Sequence, residues 1–155
     1  MQKKDIILGK AAKFLKGMIE QPVYKGTFGQ NFYAVIIQLK SFTYQSLSIN
    51  RVELGDTYPG SVFFQCTVPD FTKNTFMMAH GGALTTYIDI STTAALYAFD
   101  EKERANVSAK LDMDFLSAAA IGKDIEIEAR INRIGKSMAF LEGRIIDLQT
   151  KQYII

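Results

Sequence analysis

NTFMMAHGGALTTYID, residues Asn74 to Asp89, decides the reading of this chain. Asn74 stands six residues before the triplet His80-Gly81-Gly82, which opens a helical run holding one carboxylate, Asp89. The first turn of a helix carries backbone N–H groups without intrahelical partners, together with the positive end of the helix dipole. Those groups can polarise a carbonyl oxygen, and a carboxylate can direct water at the carbonyl carbon. A second polar residue, Ser108, falls on a later segment of strand period.

The pattern predicts a helix over 81–99, unusual in composition. It carries Gly81, Gly82, Thr85, Thr86, Ser91, Thr92 and Thr93, all poor helix formers. Such a helix must be held by tertiary packing, and its small residues let other backbone come close. The flanking segments supply a wrapping for it. Leu47–Leu54 and Ser61–Val68 read as strands joined by a turn through Gly55, Asp56, Pro59 and Gly60. After the helix, Val107, Ala109, Leu111, Met113 and Phe115 alternate with polar residues, and so do Ile125, Ile127, Ala129 and Ile131. Lys136–Leu148 follows a turn at Gly135, and a short strand, Gln152–Ile155, comes last. The expected architecture is therefore α+β: one central helix wrapped by an antiparallel sheet of five to six strands.

Composition limits the rest. With 155 residues, 48% of them hydrophobic and 22% charged, the chain can bury a core and is not disordered by composition. One Cys and one His exclude an internal disulfide and a Cys/His zinc site, and no metal is expected. Cys66, inside an apolar run, reads as a buried inert thiol. A net charge of +2 gives no case for nucleic acid, and no apolar run is long enough to span a membrane.

The charge is nonetheless uneven. Residues 1–45 hold seven Lys against Asp5 and Glu20, and six aromatics lie between Tyr24 and Tyr44. Ile7, Leu8, Ala11, Phe14, Leu15, Met18 and Ile19 form one arc of an amphipathic helix, with Lys10, Lys13 and Lys16 outside it. The helix reads as packed on its own domain, as docking a partner protein, or as a mitochondrial targeting segment. Phe32–Leu39 is expected to be helical, with a strand as the alternative. The division drawn from sequence is an N-terminal, mainly helical extension over 1–45 and a domain over 46–155. The expected compartment is the mitochondrion, with the cytoplasm as the alternative.

From about Ile49 to Ile155 the chain resembles the hotdog-fold thioesterases, in particular the acyl-CoA thioesterase 13-like group related to the phenylacetic-acid-pathway thioesterases. The matching stretches are NTFMMAHGG, the helix with Asp89, NVSAKLDMDFLSAA and IGKSMAF. The resemblance implies hydrolysis of an acyl-CoA thioester to CoA and a carboxylic acid, with no cofactor beyond the CoA of the substrate. It implies catalytic roles for Asn74, His80, Gly81, Asp89 and Ser108. The Gly81 N–H and the Asn74 side chain would polarise the carbonyl. Asp89 would be general base or nucleophile, Ser108 would position water, and His80 would orient Asn74; read from the residues alone, a His before Gly-Gly can equally be a plain helix cap. Gly82, Arg133, Gly135 and Lys136 are the implied substrate-binding residues, the last three as contacts to CoA phosphates, with a plain hairpin as the alternative reading of those three. The chain departs from the family at Ala118, where Pro is common, and in a last strand that stops at Ile155.

Gly81 and Asp89 lie eight residues apart, about 12 Å along a helix axis, which is too far for both to serve one carbonyl. A homodimer or tetramer with antiparallel helices would bring Gly81 of one copy to Asp89 of another. Two further readings stand beside the enzyme. One is an accessory subunit of a larger, possibly mitochondrial, assembly, attached through residues 1–45 and with little or no activity. The other is an acyl-binding module that does not hydrolyse.

Overall fold

The computed structural model of the chain describes residues 2–20 and 46–155. Six main elements follow one another: helix α1 (Lys3–Glu20), strands β1 (Ser48–Leu54) and β2 (Gly60–Thr67), helix α2 (Gly81–Phe99), and strands β3 (Asp124–Ile134) and β4 (Ala139–Asp147). The strands form one antiparallel sheet in the order β1-β2-β3-β4. The link from β2 to β3 contains α2, so the helix is carried onto one face of the sheet.

Alternation sorts the core face of the sheet from its other face, on which Ser61 and Phe63 of β2 are buried as well. Val62, Phe64 and Cys66 of β2 pair with Ala129, Ile127 and Ile125 of β3, and all six side chains are buried. The other face pairs Ser61, Phe63 and Gln65 with Arg130, Glu128 and Glu126. Polar contacts lie there: Ser61 Oγ donates to Glu128 at 2.9 Å, and the Arg51 guanidinium sits 3.6 Å above the Phe63 ring. Burial pushes the Cys66 thiol up to about 12, as expected of an inert cysteine.

α2 spans the residues anticipated for it. Three of its hydroxyls are satisfied along the helix: Thr85, Thr86 and Thr92 donate to carbonyls four residues back, at 2.8 to 3.0 Å, while the buried Ser91 hydroxyl has no partner among the described residues. Its small side chains allow close packing. A Cβ at Gly143 of β4 would stand 2.8 Å from Ile88 Cγ2 and 2.9 Å from its Cδ1, so the strand reaches the helix only because residue 143 is glycine.

α1 is packed on this same core through Ile7, Ala11 and Leu15, and Phe14 meets Tyr97 of α2 with ring centroids 5.2 Å apart. Lys10 points inward rather than away, with Nζ 3.4 Å from Glu103 and 3.4 Å from the carbonyl of Asp100. Phe32–Leu39 lies outside the described residues.

Among the described residues four strands are paired, not five to six. Val107–Phe115 has the alternation of a strand but no ladder partner, and Gln152–Ile155 is reduced to a single bridge, Ile146 to Tyr153. Alternation records that a segment has two unlike faces; it does not supply a neighbour for its backbone. No described helix is long and apolar enough to cross a membrane.

Candidate active site

The turn before α2 is organised by Asn74. Its Oδ1 accepts from the N–H of Phe76 at 2.8 Å and of Met78 at 3.2 Å, while its backbone N–H donates to Met78 at 2.7 Å. The oxygen is thus committed to the loop, and the side-chain amide keeps Nδ2 as a donor. His80 caps α2: its Nδ1 accepts from Gly82 N–H at 2.9 Å. It makes no hydrogen bond to Asn74. The cap occupies the Gly82 N–H, and that of Gly81 has no acceptor among the described residues at the helix end. A Cβ at Gly81 would stand 3.3 Å from the Phe115 ring, so the arm after Ser108 folds back beside this N-terminus.

Further along α2, Asp89 is half-buried and accepts a short hydrogen bond from Ser108 Oγ. The two are 19 residues apart in sequence. The predicted residues therefore fall into three groups within one chain, two of them on α2: Asn74, His80, Gly81 and Gly82 at its start, and Asp89 with Ser108 two turns on. Arg133, Gly135 and Lys136 form a third group at the β3–β4 hairpin. An open groove of about 1150 Å³ runs from Ser108 to Gly135 and Lys136, without Asp89 or Arg133 in its walls. It runs between α2, the 107–116 arm and the edge of β4, with Ile88, Thr92, Ser108, Met113, Lys136 and Phe140 in its walls.

One pair at this groove was absent from the sequence reading. Asp100, the C-cap of α2, and Arg104 form an ion pair at 2.7 Å, and the carboxylate is almost wholly buried. The Arg104 guanidinium beside Asp100 holds its carboxyl down at about 2. Their spacing of four residues was the available signal.

A helix N-terminus with a free donor, a carboxylate–hydroxyl pair on the same helix and an antiparallel sheet around it define a hotdog enzyme acting on activated carbonyls. The family described as Thioesterase superfamily matches residues 76–154, about half of the chain, and the chain belongs to that superfamily. Acyl-coenzyme A thioesterase 13 of Homo sapiens is 30% identical over 103 residues, which are 66% of this chain and 71% of that protein. Among solved structures, zebrafish thioesterase superfamily member 2 superposes with a TM-score of 0.70 at 21% identity, covering 95% of this chain and 91% of that one. The E. coli PaaI protein from the phenylacetic acid degradation operon superposes at 0.66 and 19%, covering 96% and 88%. These two likenesses bear on the fold alone.

Proposed function

We propose that the protein hydrolyses acyl-CoA thioesters to CoA and a carboxylic acid, in sites each shared by two copies of the chain. Membership of the thioesterase superfamily and likeness to acyl-coenzyme A thioesterase 13 support the reaction. The observation that carries the site is the hydrogen bond from Ser108 to Asp89, which joins two implied catalytic residues across 19 positions.

In this reading the Gly81 N–H and Asn74 Nδ2 hold the thioester oxygen, where the helix dipole favours developing negative charge. Asp89 takes a proton from water, or attacks directly, and Ser108 orients the attacking group. Water is activated by a carboxylate, so the reaction needs no metal or redox cofactor. General-base action needs approach to about 3 Å, whereas eight helical residues separate the two groups by about 12 Å. A second copy with its α2 antiparallel would place its Asp89 opposite this Gly81. Exposed apolar side chains on the 107–116 arm, Val107 at 91% and Leu116 at 66%, supply surface for such a pairing.

Mixing subunits tests the shared site. Asn74→Ala and Asp89→Asn proteins should each be inactive, and after exchange should recover about a quarter of wild-type activity, because half the dimers are mixed and one of their two sites is intact. No recovery after demonstrated exchange would place a complete site in each chain.

The accessory-subunit reading draws on the basic, aromatic residues 1–45. The inward packing of Ile7, Ala11 and Leu15 supports α1 as a resident part of this domain and leaves partner binding to other residues of the extension.

A further inference from the structure

The hairpin between β3 and β4 is gripped from behind by one side chain. Arg104 Nη1 donates to the carbonyl of Lys136 at 2.6 Å, and Nη2 to that of Gly135 at 3.4 Å. The other side of the guanidinium is held by Asp100, with Nε on Oδ2 at 2.7 Å and Nη2 on Oδ1 at 3.2 Å. Four of its five N–H groups are thereby used. Asp100 also accepts from the backbone N–H of Arg104 at 3.0 Å and of Lys102 at 3.3 Å, and its side chain is only 8% exposed. The anchor is fixed in turn from α1 and α2. Lys10 meets the Asp100 carbonyl, and Tyr97 donates to Glu103 at 2.7 Å.

This grip dictates where the turn's N–H groups face. A trans peptide points its C=O and N–H in opposite directions. With the carbonyls of Gly135 and Lys136 drawn to Arg104, the N–H groups of Lys136 and Ser137 face away from it. Neither donates to a backbone carbonyl among the described residues. The exposed side chains of Lys136 and Ser137 flank them, and Arg133 is exposed at the end of β3. Gly135 N–H closes the turn on Met138 at 2.8 Å, and a Cβ at 135 would meet that same carbonyl oxygen at 2.8 Å, so the turn is as tight as glycine permits. Outward N–H groups beside cationic side chains and a hydroxyl suit phosphate oxygens.

We propose that Arg104, clamped by Asp100, is a positioning residue that sets the 135–137 turn to receive a phosphate of the substrate's nucleotide portion. The proposal rests on the acyl-CoA reading of the site and assigns Arg104 no contact with the substrate. Its donors are spent on the protein, and its work is to orient peptides that do make the contact. A lysine there would keep the charge but could not span a carboxylate and two carbonyls with a planar fork.

The test compares one acyl group carried on CoA and on pantetheine, which has the same thiol arm without the nucleotide. In the full chain, Arg104→Lys and Asp100→Asn should each raise KM for the CoA ester about tenfold, the size of one charge-assisted contact. The kcat for that ester, and kcat/KM for the pantetheine ester, should stay within about twofold of wild type, because the reacting groups are untouched. Unchanged KM for the CoA ester in folded variants overturns the proposal, as do equal losses on both esters. If the wild type cleaves neither ester, the hydrolase reading fails, and calorimetry with CoA still decides this one. Weaker CoA binding by Arg104→Lys than by wild type upholds it; equal binding, or no binding by the wild type, overturns it.

Discussion

Replacing Asp89 by Asn removes the charge that would take a proton from water while leaving the shape of the side chain. The structure says what else the change touches. The carboxylate's hydrogen bond is from Ser108 Oγ, and Asn retains an oxygen to accept it. The backbone carbonyl of residue 89 still receives the Thr92 hydroxyl at 3.1 Å. The fold should therefore hold, with the melting temperature shifted by no more than about 3 °C. A positioned general base is worth about 10²–10⁴ in rate, so the barrier should rise by about 2.7–5.4 kcal/mol. Thiol release at saturating acyl-CoA reads this directly as a fall in kcat. Ser108→Ala is the companion: it removes one hydrogen bond to the base but not the base, so its loss should be smaller, about tenfold. Turnover by folded Asp89→Asn within about threefold of wild type would refute the assignment of the base.

Two stability predictions follow from packing and charge. Gly143→Ala sets a methyl against two carbons of buried Ile88 and should cost about 1–3 kcal/mol by thermal melting; adding Ile88→Ala removes both clashing carbons, so the double variant should lose less than the sum of the singles. Asp100, held at about 2 by Arg104, has a depressed folded pKa, so its stabilising effect is complete above the usual carboxylate value near about 4 and fades as pH falls toward 2. The difference in melting temperature between wild type and Asp100→Asn should be constant from pH 7 to about pH 5 and shrink below about pH 4; a difference unchanged at pH 2.5 would count against the ion pair as its source.

Patterns that depend on side-chain period were legible in the sequence, and those that depend on backbone partners were not. The helix over 81–99 was readable because Gly-Gly after His80 marks its start and the small residues that follow need tertiary packing to hold them helical. The paired strands were readable because Val62, Phe64 and Cys66, like Ile125, Ile127 and Ala129, recur every second residue on the buried face. Val107–Phe115 has the same period, yet period says nothing of what its backbone bonds to, and within the described residues it has no ladder partner. At the site, the positions of Asn74, Gly81 and Asp89 were legible from the matched motif. His80 was open to two readings, a cap of the helix or an orienting partner of Asn74; its Nδ1 accepts from the Gly82 N–H two residues on, as a capping side chain does.

Arg104 shows the limit most clearly. Its ion pair with Asp100 had only a spacing signal, a carboxylate and a guanidinium four residues apart, and the pair lies beyond the end of α2 in the turn that follows it. Its grip on the hairpin had none. The acceptors are the carbonyls of residues 135 and 136, and every residue in the chain carries a carbonyl. A side chain whose partner is backbone leaves no second residue type to search for, so its role emerges only when folding brings the end of α2 behind the turn. Substitution there should follow the same logic: changing the identities of Lys136 or Ser137 would leave both carbonyl contacts of Arg104 in place, whereas Gly135→Ala, by pressing a Cβ onto the Met138 oxygen, should loosen the grip without altering any charge.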